Sequence, residues 1–458
     1  MTSGDNDMTM PRGCRLIEFP ESVDMRGCLS FAEGMQHIPF QIERVFWIYN
    51  VAEGMTRGSH SHNESSEVVV PVSGKFDMFV SDGVREVTVC MDSPRRGILI
   101  PPGVWCELRN FAPSTVCVVM ASHPYNAAGY TDDFTQYRNG LVSTVRYDSS
   151  RKDEWNGFVR SSKNGTFLFD RSFMDYHADR FEDCSLMFYK HDRLLAVLPA
   201  NYVASEGTVW SHGGLTYGGL IMSPEITAVG ALEVFSCAID WMKVELRANR
   251  WIYKPVPYVY SRVPAEEDLY ALFRSGGRLY SRAVSSVVDG SNRLPLHKLR
   301  RRGVAKAVKA GLSIRRSDDP KDWEAFWGIL SEVLMSRHHK VPVHTLQEIL
   351  MLAGRFPESI KLYVVVSADG RIVAGTVVFD TPQVAHAQYI AASEEGKRNG
   401  ALDLLFDSLI GQEYAGKAYF DFGISTEQGG SFLNEGLIFQ KEGFGARSVV
   451  YDTYEIPL

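Results

Sequence analysis

The pattern of apolar and polar positions divides the chain into two parts. Over residues 14–137, short runs of β-branched and aromatic residues are separated by Gly, Pro, Asp and Ser, with hardly any helical pattern. Many short strands at close spacing are typical of a β-sandwich or barrel. From residue 165 onward, helical and strand patterns alternate, and residues 225–247 carry the apolar stripe of an amphipathic helix. We therefore predict an all-β domain followed by an α/β (α+β) part.

A polar segment over residues 138–164 marks the position of the domain boundary. The chain has 458 residues, which is too long for a single core and favours two or three domains. We expect a β domain at residues 1–140, a linker at 141–164, a first α/β unit at 165–300 and a second one at 301–458. The two α/β units are candidates for a divergent internal duplication.

Composition limits the class of protein. The net charge is −7 without a dominant basic block, which argues against a nucleic-acid partner. The seven cysteines include no Cys-x-x-Cys pair, so a reducing compartment fits better than a disulfide framework. No apolar run approaches the ~20 residues that span a bilayer. We expect a cytoplasmic protein with no nucleic-acid and no membrane partner.

A His-x-His pair is the main candidate for chemistry in the β domain. His60 and His62 are separated by one residue on a predicted strand, so their side chains point to the same face. Arg57 precedes them, and the direction of Glu67 is open, since only a bulge or bend turns it to that face. Imidazole, carboxylate and the thiolate of Cys106 are acceptable zinc or iron ligands. Two histidines can also move a proton between adjacent carbons without metal when a carbonyl acidifies the C–H bond.

The spacing around this pair resembles a known family. The series Gly54, His60, His62, Glu67 and Gly74 resembles the first cupin motif. Further stretches carry a closer resemblance, namely Ile38–Phe40, Arg44–Tyr49, Arg57–His62, Ile100–Trp105 and Ala121–His123. With them, nearly all of the β domain is similar to the nucleotide-sugar 3,4-ketoisomerase family of cupins. The resemblance implies a cupin jelly-roll barrel.

This resemblance implies a reaction and a set of site residues. Enzymes of the family convert a dTDP-4-keto-6-deoxyglucose to its 3-keto isomer without metal. By resemblance, His60 and His62 are the catalytic residues of proton transfer, and the site has no metal ligand. Arg44 and Arg57 are the expected contacts to the phosphates of the substrate, which suit guanidinium geometry. A homodimer through this domain is expected by analogy.

A second resemblance lies in the α/β part, where a strand pair ends at residues 389–393 and a helix follows. Between them stand Lys397, Arg398, Asn399 and Gly400. They resemble the turn that holds the pyrophosphate of acetyl-CoA in GNAT-type acyltransferases, in the tandem form shared with the Fem-type aminoacyl transferases. Exposed N–H groups and the helix dipole favour an anion at such a turn. The resemblance implies acetyl-CoA as the cofactor, and an ordinary loop is the alternative.

In a two-unit transferase, polar loops of both units are expected to line the acceptor cleft. The candidates are His212 and Tyr217 from the first unit, and His386, Gln388, Asp421 and Glu427 from the second. Acyl transfer to an amine needs a group that takes a proton from the ammonium. We expect Asp421 or Glu427 to be that group.

Together, the two parts suggest a bifunctional enzyme of nucleotide-sugar metabolism. Its substrates are a dTDP-linked 4-keto-6-deoxyhexose and, after an aminotransferase has acted, an amino-sugar nucleotide that is N-acylated for lipopolysaccharide, S-layer glycan or an antibiotic. The ketoisomerase family often has Gln where Glu67 stands and His where Cys106 stands. A metal-dependent cupin enzyme, an oxygenase or epimerase-like, therefore stays open. A second alternative is a non-catalytic cupin that binds a sugar nucleotide or dimerises for the attached acyltransferase.

Overall fold

The computed structural model describes residues 10–11, 13–83, 85–190 and 193–458, with the backbone alone at 139, 337 and 338. The chain divides into two compact units, Met1–Ser143 and Thr144–Leu458. A sequence-predicted hairpin turn at His191 and Asp192 lies outside the described residues. Within the described ranges, no helix combines the length and apolar character needed to cross a membrane.

Strands dominate the first unit, as its sequence pattern predicts. They are β1 (Arg15–Glu18), β2 (Glu21–Asp24), β3 (Gly27–Ser30), β4 (Arg44–Tyr49), β5 (Arg57–His62), β6 (Glu67–Ser73), β7 (Phe76–Ser81), β8 (Glu86–Met91), β9 (Arg96–Ile100), β10 (Trp105–Arg109), β11 (Val116–Ala121) and β12 (Tyr130–Thr131). A short helix follows, α1 (Phe134–Gly140), and the Asp133 side chain caps it by accepting from the Gln136 amide.

Two five-stranded sheets enclose the core of the first unit, with strand orders β1-β9-β6-β11-β4 and β12-β5-β10-β7-β8. Alternate residues of β7 and β11 are buried. Phe76, Met78 and Val80 of β7 pack with Val69 of β6 and Val119 of β11 in one apolar cluster. Strands β2 and β3 form a separate hairpin. The predicted all-β jelly-roll barrel is therefore confirmed for this unit.

The second unit mixes strands and helices. Its strands are β13 (Ser143–Arg146), β14 (Glu182–Asp183), β15 (Leu186–Lys190), β16 (Arg193–Leu198), β17 (Asn201–Val203), β18 (Thr208–Trp210), β19 (Ile221–Met222), β20 (Arg250–Tyr253), β21 (Arg278–Asp289), β22 (Ser313–Ser317), β23 (Ile360–Val366), β24 (Ile372–Asp380), β25 (Val384–Ala392), β26 (Tyr419–Ile424), β27 (Thr426–Glu427), β28 (Phe432–Leu433) and β29 (Arg447–Pro457).

The helices of this unit include the predicted amphipathic one, whose apolar stripe is buried. They are α2 (Lys152–Ser161), α3 (Arg171–Met174), α4 (Ala228–Glu245), α5 (Glu267–Arg274), α6 (Lys298–Lys309), α7 (Pro320–His338), α8 (Leu346–Arg355), α9 (Glu394–Asn399), α10 (Ala401–Ser408) and α11 (Glu435–Glu442). Helix α4 buries Ala231, Val234, Phe235, Ala238 and Met242, at the spacing that the sequence predicts.

One eleven-stranded sheet runs through the second unit, in the order β14-β17-β18-β20-β29-β21-β26-β25-β24-β23-β22, beside a four-stranded sheet β13-β15-β16-β19. The C-terminal strand β29 inserts between β20 and β21, so the predicted halves 165–300 and 301–458 share this sheet. The linker predicted at 141–164 is wrong, because these residues include β13 and α2. Trp155 of α2 is fully buried, and its indole N–H donates to the Phe169 carbonyl at 2.8 Å.

Candidate functional site

A β-bulge in β5 sets the direction of its polar side chains. Cys106 of β10 pairs with His60, whereas the next residue of β10 pairs with Gly58, so Ser59 is an extra residue. Gly58 and Ser59 adopt φ angles of 79° and 56°. The bulge turns Arg57 to the same side as His60, and both line one cavity. Strict alternation would have placed these two side chains on opposite faces.

His60 and His62 meet through their Nε2 atoms, which lie 3.1 Å apart. His62 Nε2 also lies 3.0 Å from Glu67 Oε1. Glu67 opens β6 and points inward, which settles the direction that the sequence left open. Its Oε1 accepts a hydrogen bond from Arg44 Nη2 at 3.3 Å. The four side chains therefore form one polar chain, with His62 and Glu67 buried and His60 at its partly exposed end.

The tautomer of His60 follows from its second hydrogen bond. His60 Nδ1 lies 3.0 Å from the Gly58 carbonyl, which can only accept. Neutral His60 therefore carries its proton on Nδ1 and keeps a lone pair on Nε2, which lies 3.1 Å from His62 Nε2. Burial, and then the neighbouring His62, hold the pKa of His60 below its usual value. His60 is thus neutral at pH 7, with a basic nitrogen available.

Two adjoining cavities, of about 500 Å³ and about 620 Å³, meet at His60. The smaller one is lined by Arg57 and Cys106, and the larger one by Arg44. His62 lines neither and stands behind His60. The structure therefore brings all four predicted site residues of the β domain together, but only His60 of the two histidines contacts the open space.

Sequence reasoning missed Tyr130, which belongs to the same cluster. Its ring centroid lies 4.9 Å from that of His60 and 4.5 Å from that of His62. Arg44 Nη1 lies 3.5 Å from the Tyr130 hydroxyl. Tyr130 sits on the two-residue strand β12, which pairs with β5. Such a short strand has no periodic pattern, so nothing in the sequence singled this residue out.

The histidine cluster also has the spacing of a metal site. His60, His62 and Glu67 each offer a ligand atom, and these atoms lie within 4.8 Å of one another. Cys106 is not part of this group, and burial and then Glu67 raise the pKa of its thiol. The residues therefore suit a three-ligand ion, although the Arg44 guanidinium already compensates the charge of Glu67.

A cavity of about 620 Å³ lies in the second unit. The predicted cleft residues that line it are Tyr217, His386, Gln388 and Glu427. His212 does not line it and instead stacks on His177, with ring centroids 5.1 Å apart. Asp421 is fully buried behind His386, whose Nδ1 lies 2.8 Å from Asp421 Oδ2. The expectation that Asp421 contacts the acceptor is therefore wrong.

The turn predicted to hold pyrophosphate is helical. Helix α9 ends at Asn399, and Gly400, with φ 76°, caps the end of α9 and the start of α10. A cavity of about 310 Å³ is lined by Lys397 and Gly400 together with Arg300 of α6. Arg398 and Asn399 do not line it. The structure thus brings two of the four predicted cofactor residues to one cavity and adds an arginine that sequence reasoning did not assign.

Both units match known families. Residues 12–141 match the family model "FdtA: WxcM-like, C-terminal", and residues 297–429 match that of the acetyltransferase (GNAT) domain. The TDP-4-oxo-6-deoxy-α-D-glucose-3,4-oxoisomerase of Aneurinibacillus thermoaerophilus is 34% identical over 128 residues, which are 27% of this chain and 91% of that protein. The chain belongs to the TDP-sugar 3,4-ketoisomerase family. Its second unit adds an acyltransferase domain to the ketoisomerase domain.

Solved structures resemble each unit separately. A sugar 3,4-ketoisomerase from Thermoanaerobacterium thermosaccharolyticum, solved with TDP, is 32% identical; the match covers 28% of this chain and 95% of that one, with a TM-score of 0.28. The structure of FemX is 12% identical, and its match covers 69% of this chain and 97% of that one with a TM-score of 0.51. The FemX match shows the fold of the acyltransferase part, as the sequence predicts.

Proposed function

We propose that the first unit catalyses the 3,4-ketoisomerisation of a TDP-linked 4-keto-6-deoxyhexose by histidine-mediated proton transfer. The observation that carries this proposal is the position of His60. It lines both cavities and presents a neutral Nε2 that is held 3.1 Å from His62 Nε2. The Aneurinibacillus relative, named for the same reaction on TDP-4-oxo-6-deoxyglucose, supports the substrate class.

The proposed chemistry needs one base that works on two adjacent carbons. The 4-keto group acidifies the C3–H bond, and His60 Nε2 takes that proton as an enediolate forms. The same proton then returns to C4, while the O3 hydroxyl loses its proton and O4 gains one. The product is the 3-keto isomer, with no atom gained or lost. In this scheme His62, which is buried behind His60, positions its ring and exchanges protons with it.

Arg44 and Arg57 are the proposed contacts to the TDP phosphates. They line different cavities that share His60, so a diphosphate contacted by both would lie where the two cavities meet. Arg57 is exposed, whereas Arg44 is partly buried and paired with Glu67. Guanidinium groups bind phosphate oxygens in pairs, which suits both positions.

The isomerase proposal is tested by adding TDP-4-keto-6-deoxyglucose and following the product by NMR. Wild-type protein is expected to form the 3-keto isomer, and His60→Ala to lose this activity by at least about 100-fold, as expected for an acid–base residue. His37→Gln is the matched control, because His37 belongs to the same unit and lies outside both cavities. Full turnover by His60→Ala would disprove the assigned role.

We propose further that the second unit transfers an acyl group from acetyl-CoA to the amine of an amino-sugar nucleotide. The match of residues 297–429 to an acetyltransferase domain supports the reaction class. The cavity of about 620 Å³ is large enough for a sugar and its linkage to a phosphate. The cavity lined by Lys397, Gly400 and Arg300 is the proposed position of the CoA pyrophosphate.

The acyltransferase proposal is tested with acetyl-CoA and a TDP-3-amino-3,6-dideoxyhexose, by measuring CoA thiol release. A Cβ at Gly400 would lie 2.5 Å from the Gly303 carbonyl oxygen, so Gly400→Ala displaces the start of α10 and should raise the KM for acetyl-CoA. Gly276→Ala is the control, with a similar φ of 74° but nothing within 4 Å. No thiol release by the wild type would exclude this donor and acceptor.

A metal-dependent reaction is the second candidate for the first unit. The observation that favours it is the group of His60, His62 and Glu67, whose ligand atoms lie within 4.8 Å of one another. Such an ion would polarise the keto oxygen as a Lewis acid. Metal analysis of the purified protein decides between the two. About one tightly held zinc or iron per chain, with activity lost on chelation and restored by metal, would favour this candidate.

We also propose a homodimer formed through the first unit. Strand β4 is at the edge of its sheet, with β11 as its neighbour. Its outward residues Val45, Trp47 and Tyr49 are all exposed. An exposed apolar edge strand is a ready site for pairing with a second copy.

A further inference from the structure

The second unit contains a carboxylate–imidazole pair at the point where two strands separate. Strands β25 and β26 run parallel and pair over Val384, Ala385 and His386, with His386 opposite Asp421. Beyond this pair the strands diverge, and residues of both strands line the cavity of about 620 Å³. The pair therefore lies at the inner end of a gap that is open to a ligand.

Asp421 is held by donors on every side. Its Oδ2 accepts from His386 Nδ1, from the Tyr260 hydroxyl at 2.9 Å and from the Tyr451 hydroxyl at 2.6 Å. Its Oδ1 accepts from the Ser285 hydroxyl and from an amide of its own strand at 2.8 Å. Burial alone would raise the pKa of Asp421, but His386 and the hydroxyl donors outweigh it and hold the pKa far below its usual range. The carboxylate is thus ionised, and both of its oxygens accept hydrogen bonds.

The hydrogen bond to Asp421 fixes the tautomer of His386. An ionised carboxylate can only accept, so His386 Nδ1 carries a proton, and in the neutral ring Nε2 carries the lone pair. Within the described part of the chain, Nε2 has no hydrogen-bond partner. Gly423, with φ 76°, leaves the ring edge open, because a Cβ there would lie 3.3 Å from His386 Cε1. His386 lines the cavity and is the only member of the pair that does so.

A bulge next to His386 shapes the same wall of the cavity. Val377 of β24 pairs with Tyr389, whereas Val378 pairs with Ala387, so Gln388 is an extra residue in β25. Gln388 also lines the cavity. The bulge presents an amide side chain beside the imidazole, where it can orient a polar ligand without supplying a base.

We propose that His386 is the general base of the acyl transfer, with Asp421 as its positioning residue; this inference rests on the acyltransferase function proposed above. The acceptor ammonium gives one proton to His386 Nε2, and the amine lone pair forms the C–N bond to the thioester carbonyl. The C–S bond breaks with its electron pair on sulfur. The nitrogen loses its second proton as the amide forms. The CoA thiolate takes one of the two protons, and solvent takes the other.

Other charged groups face the same cavity and enter its pH dependence. They are Lys254, Lys340, Glu427 and Asp452. Burial lowers the pKa of Lys254 to about 8. The tyrosines that face His386 through Asp421 are Tyr260 and Tyr451, whose pKa values burial raises well above the usual value. Below pH 7 Lys254 and these tyrosines stay protonated and add no titration of their own.

The test compares wild type, His386→Gln and Asp421→Asn with acetyl-CoA and a TDP-3-amino-3,6-dideoxyhexose, by CoA thiol release. His386→Gln keeps a donor to Asp421 but cannot exchange a proton. Its kcat should fall by about 100-fold or more with the KM for acetyl-CoA unchanged. A general base must be unprotonated, so the wild-type kcat should show an acid limb that is absent from His386→Gln. Asp421→Asn should lower kcat, because the ring loses its fixed tautomer.

Asp369→Asn is the matched control for Asp421→Asn, because Asp369 is an exposed, ion-paired carboxylate of the same unit that lies outside the cavity. It should leave kcat unchanged. Wild-type kcat and an intact acid limb in His386→Gln would overturn the inference while leaving the acyltransferase function standing. No transfer by the wild type would overturn that function, and the role of His386 would fall with it. If Asp421→Asn does not fold, His386→Gln alone decides.

Discussion

The residue proposed to carry the chemistry of the first unit is His60, and its protonation state is set by neighbouring residues rather than by its own sequence context. The Gly58 carbonyl fixes the proton on Nδ1, and burial favours the neutral ring. Glu67 acts in the opposite sense, since its negative charge raises the pKa of His60. The balance leaves a neutral base near physiological pH, which suits transfer of a proton between carbons.

The charge of Glu67 should therefore be visible in the pH profile. A base that must be neutral gives a kcat/KM that falls as pH falls through its pKa. In the wild type this limb should lie below the ordinary histidine pKa of about 6.5. Glu67→Gln removes a group that raises the pKa of His60, so the limb should move to lower pH. The profile of kcat/KM for isomerisation measures the shift.

Glu107→Gln is the control, because this carboxylate lies in the same unit and pairs with Arg109 rather than with His60. The acid limb of kcat/KM for Glu107→Gln should coincide with that of the wild type. Movement of the Glu67→Gln limb toward higher pH would contradict the electrostatic argument. A bound metal would give a different result, since Glu67→Gln would then remove a ligand and lower metal content.

At the scale of single elements, a bulge in β5 brings Arg57 and His60 to one side. Glycine adopts the left-handed conformation found at position 58 without strain, whereas any other residue is strained there. A Cβ at Gly58 would also lie 3.0 Å from the Cys106 carbonyl oxygen. Gly58→Ala should therefore shift the bulge, destabilise the first unit by about 1–3 kcal/mol and reduce isomerase activity. Urea unfolding and NMR turnover measure the two effects.

Gly54→Ala serves as the matched variant, because Gly54 has a similar φ of 76° but nothing within 4 Å of its added Cβ. Gly54→Ala introduces the backbone strain without a steric clash, so it should keep the isomerase activity and lose less stability than Gly58→Ala. Equal loss of activity in both variants would show that strain, rather than the position of the bulge, controls the site.

The same elements show which structural features the sequence pattern predicts and which it does not. The alternation of a strand places His60 and His62 on one face, but the same rule puts Arg57 on the other, and only Gly58 hints at the bulge that reverses this. The direction of Glu67 depended on where β6 begins. The polar composition of 141–164 concealed α2, since one buried face suffices for a helix. Local patterns predict such elements well, whereas bulges and strand starts depend on neighbouring strands.

At the scale of the whole molecule, strand β29 lies between β20 and β21 in the eleven-stranded sheet of the second unit. No local sequence pattern predicts this insertion. Buried histidines lie within this unit. Burial, as the largest cause, lowers the pKa of His212 to about 3 and that of His344 to about 4. Both are therefore neutral in the native unit well below the pH at which the unfolded chain takes up protons.

Acid should consequently destabilise the second unit before its carboxylates titrate. Between pH about 6.5 and about 4, the unfolded chain binds protons that the native unit does not, so the free energy of unfolding falls as pH falls. Each histidine contributes about 1.4 kcal/mol per pH unit in this window. Urea unfolding at pH 7 and pH 5 measures the loss. His344→Gln should reduce the slope, exposed His297→Gln should not, and stability independent of pH would contradict the argument.

Assembly of the first unit should depend on the exposed edge strand β4. Trp47 is 62% exposed on the edge strand β4, with apolar Val45 and Tyr49 beside it, which is unfavourable in water unless a second copy covers this edge. Sedimentation should give the mass of a dimer for the wild type and a shift toward monomer for Trp47→Glu. Phe273→Glu changes an even more exposed apolar residue of α5 in the second unit and should leave the mass unchanged. A monomeric wild type, or a dimeric Trp47→Glu, would mean that the β4 edge does not hold two copies together.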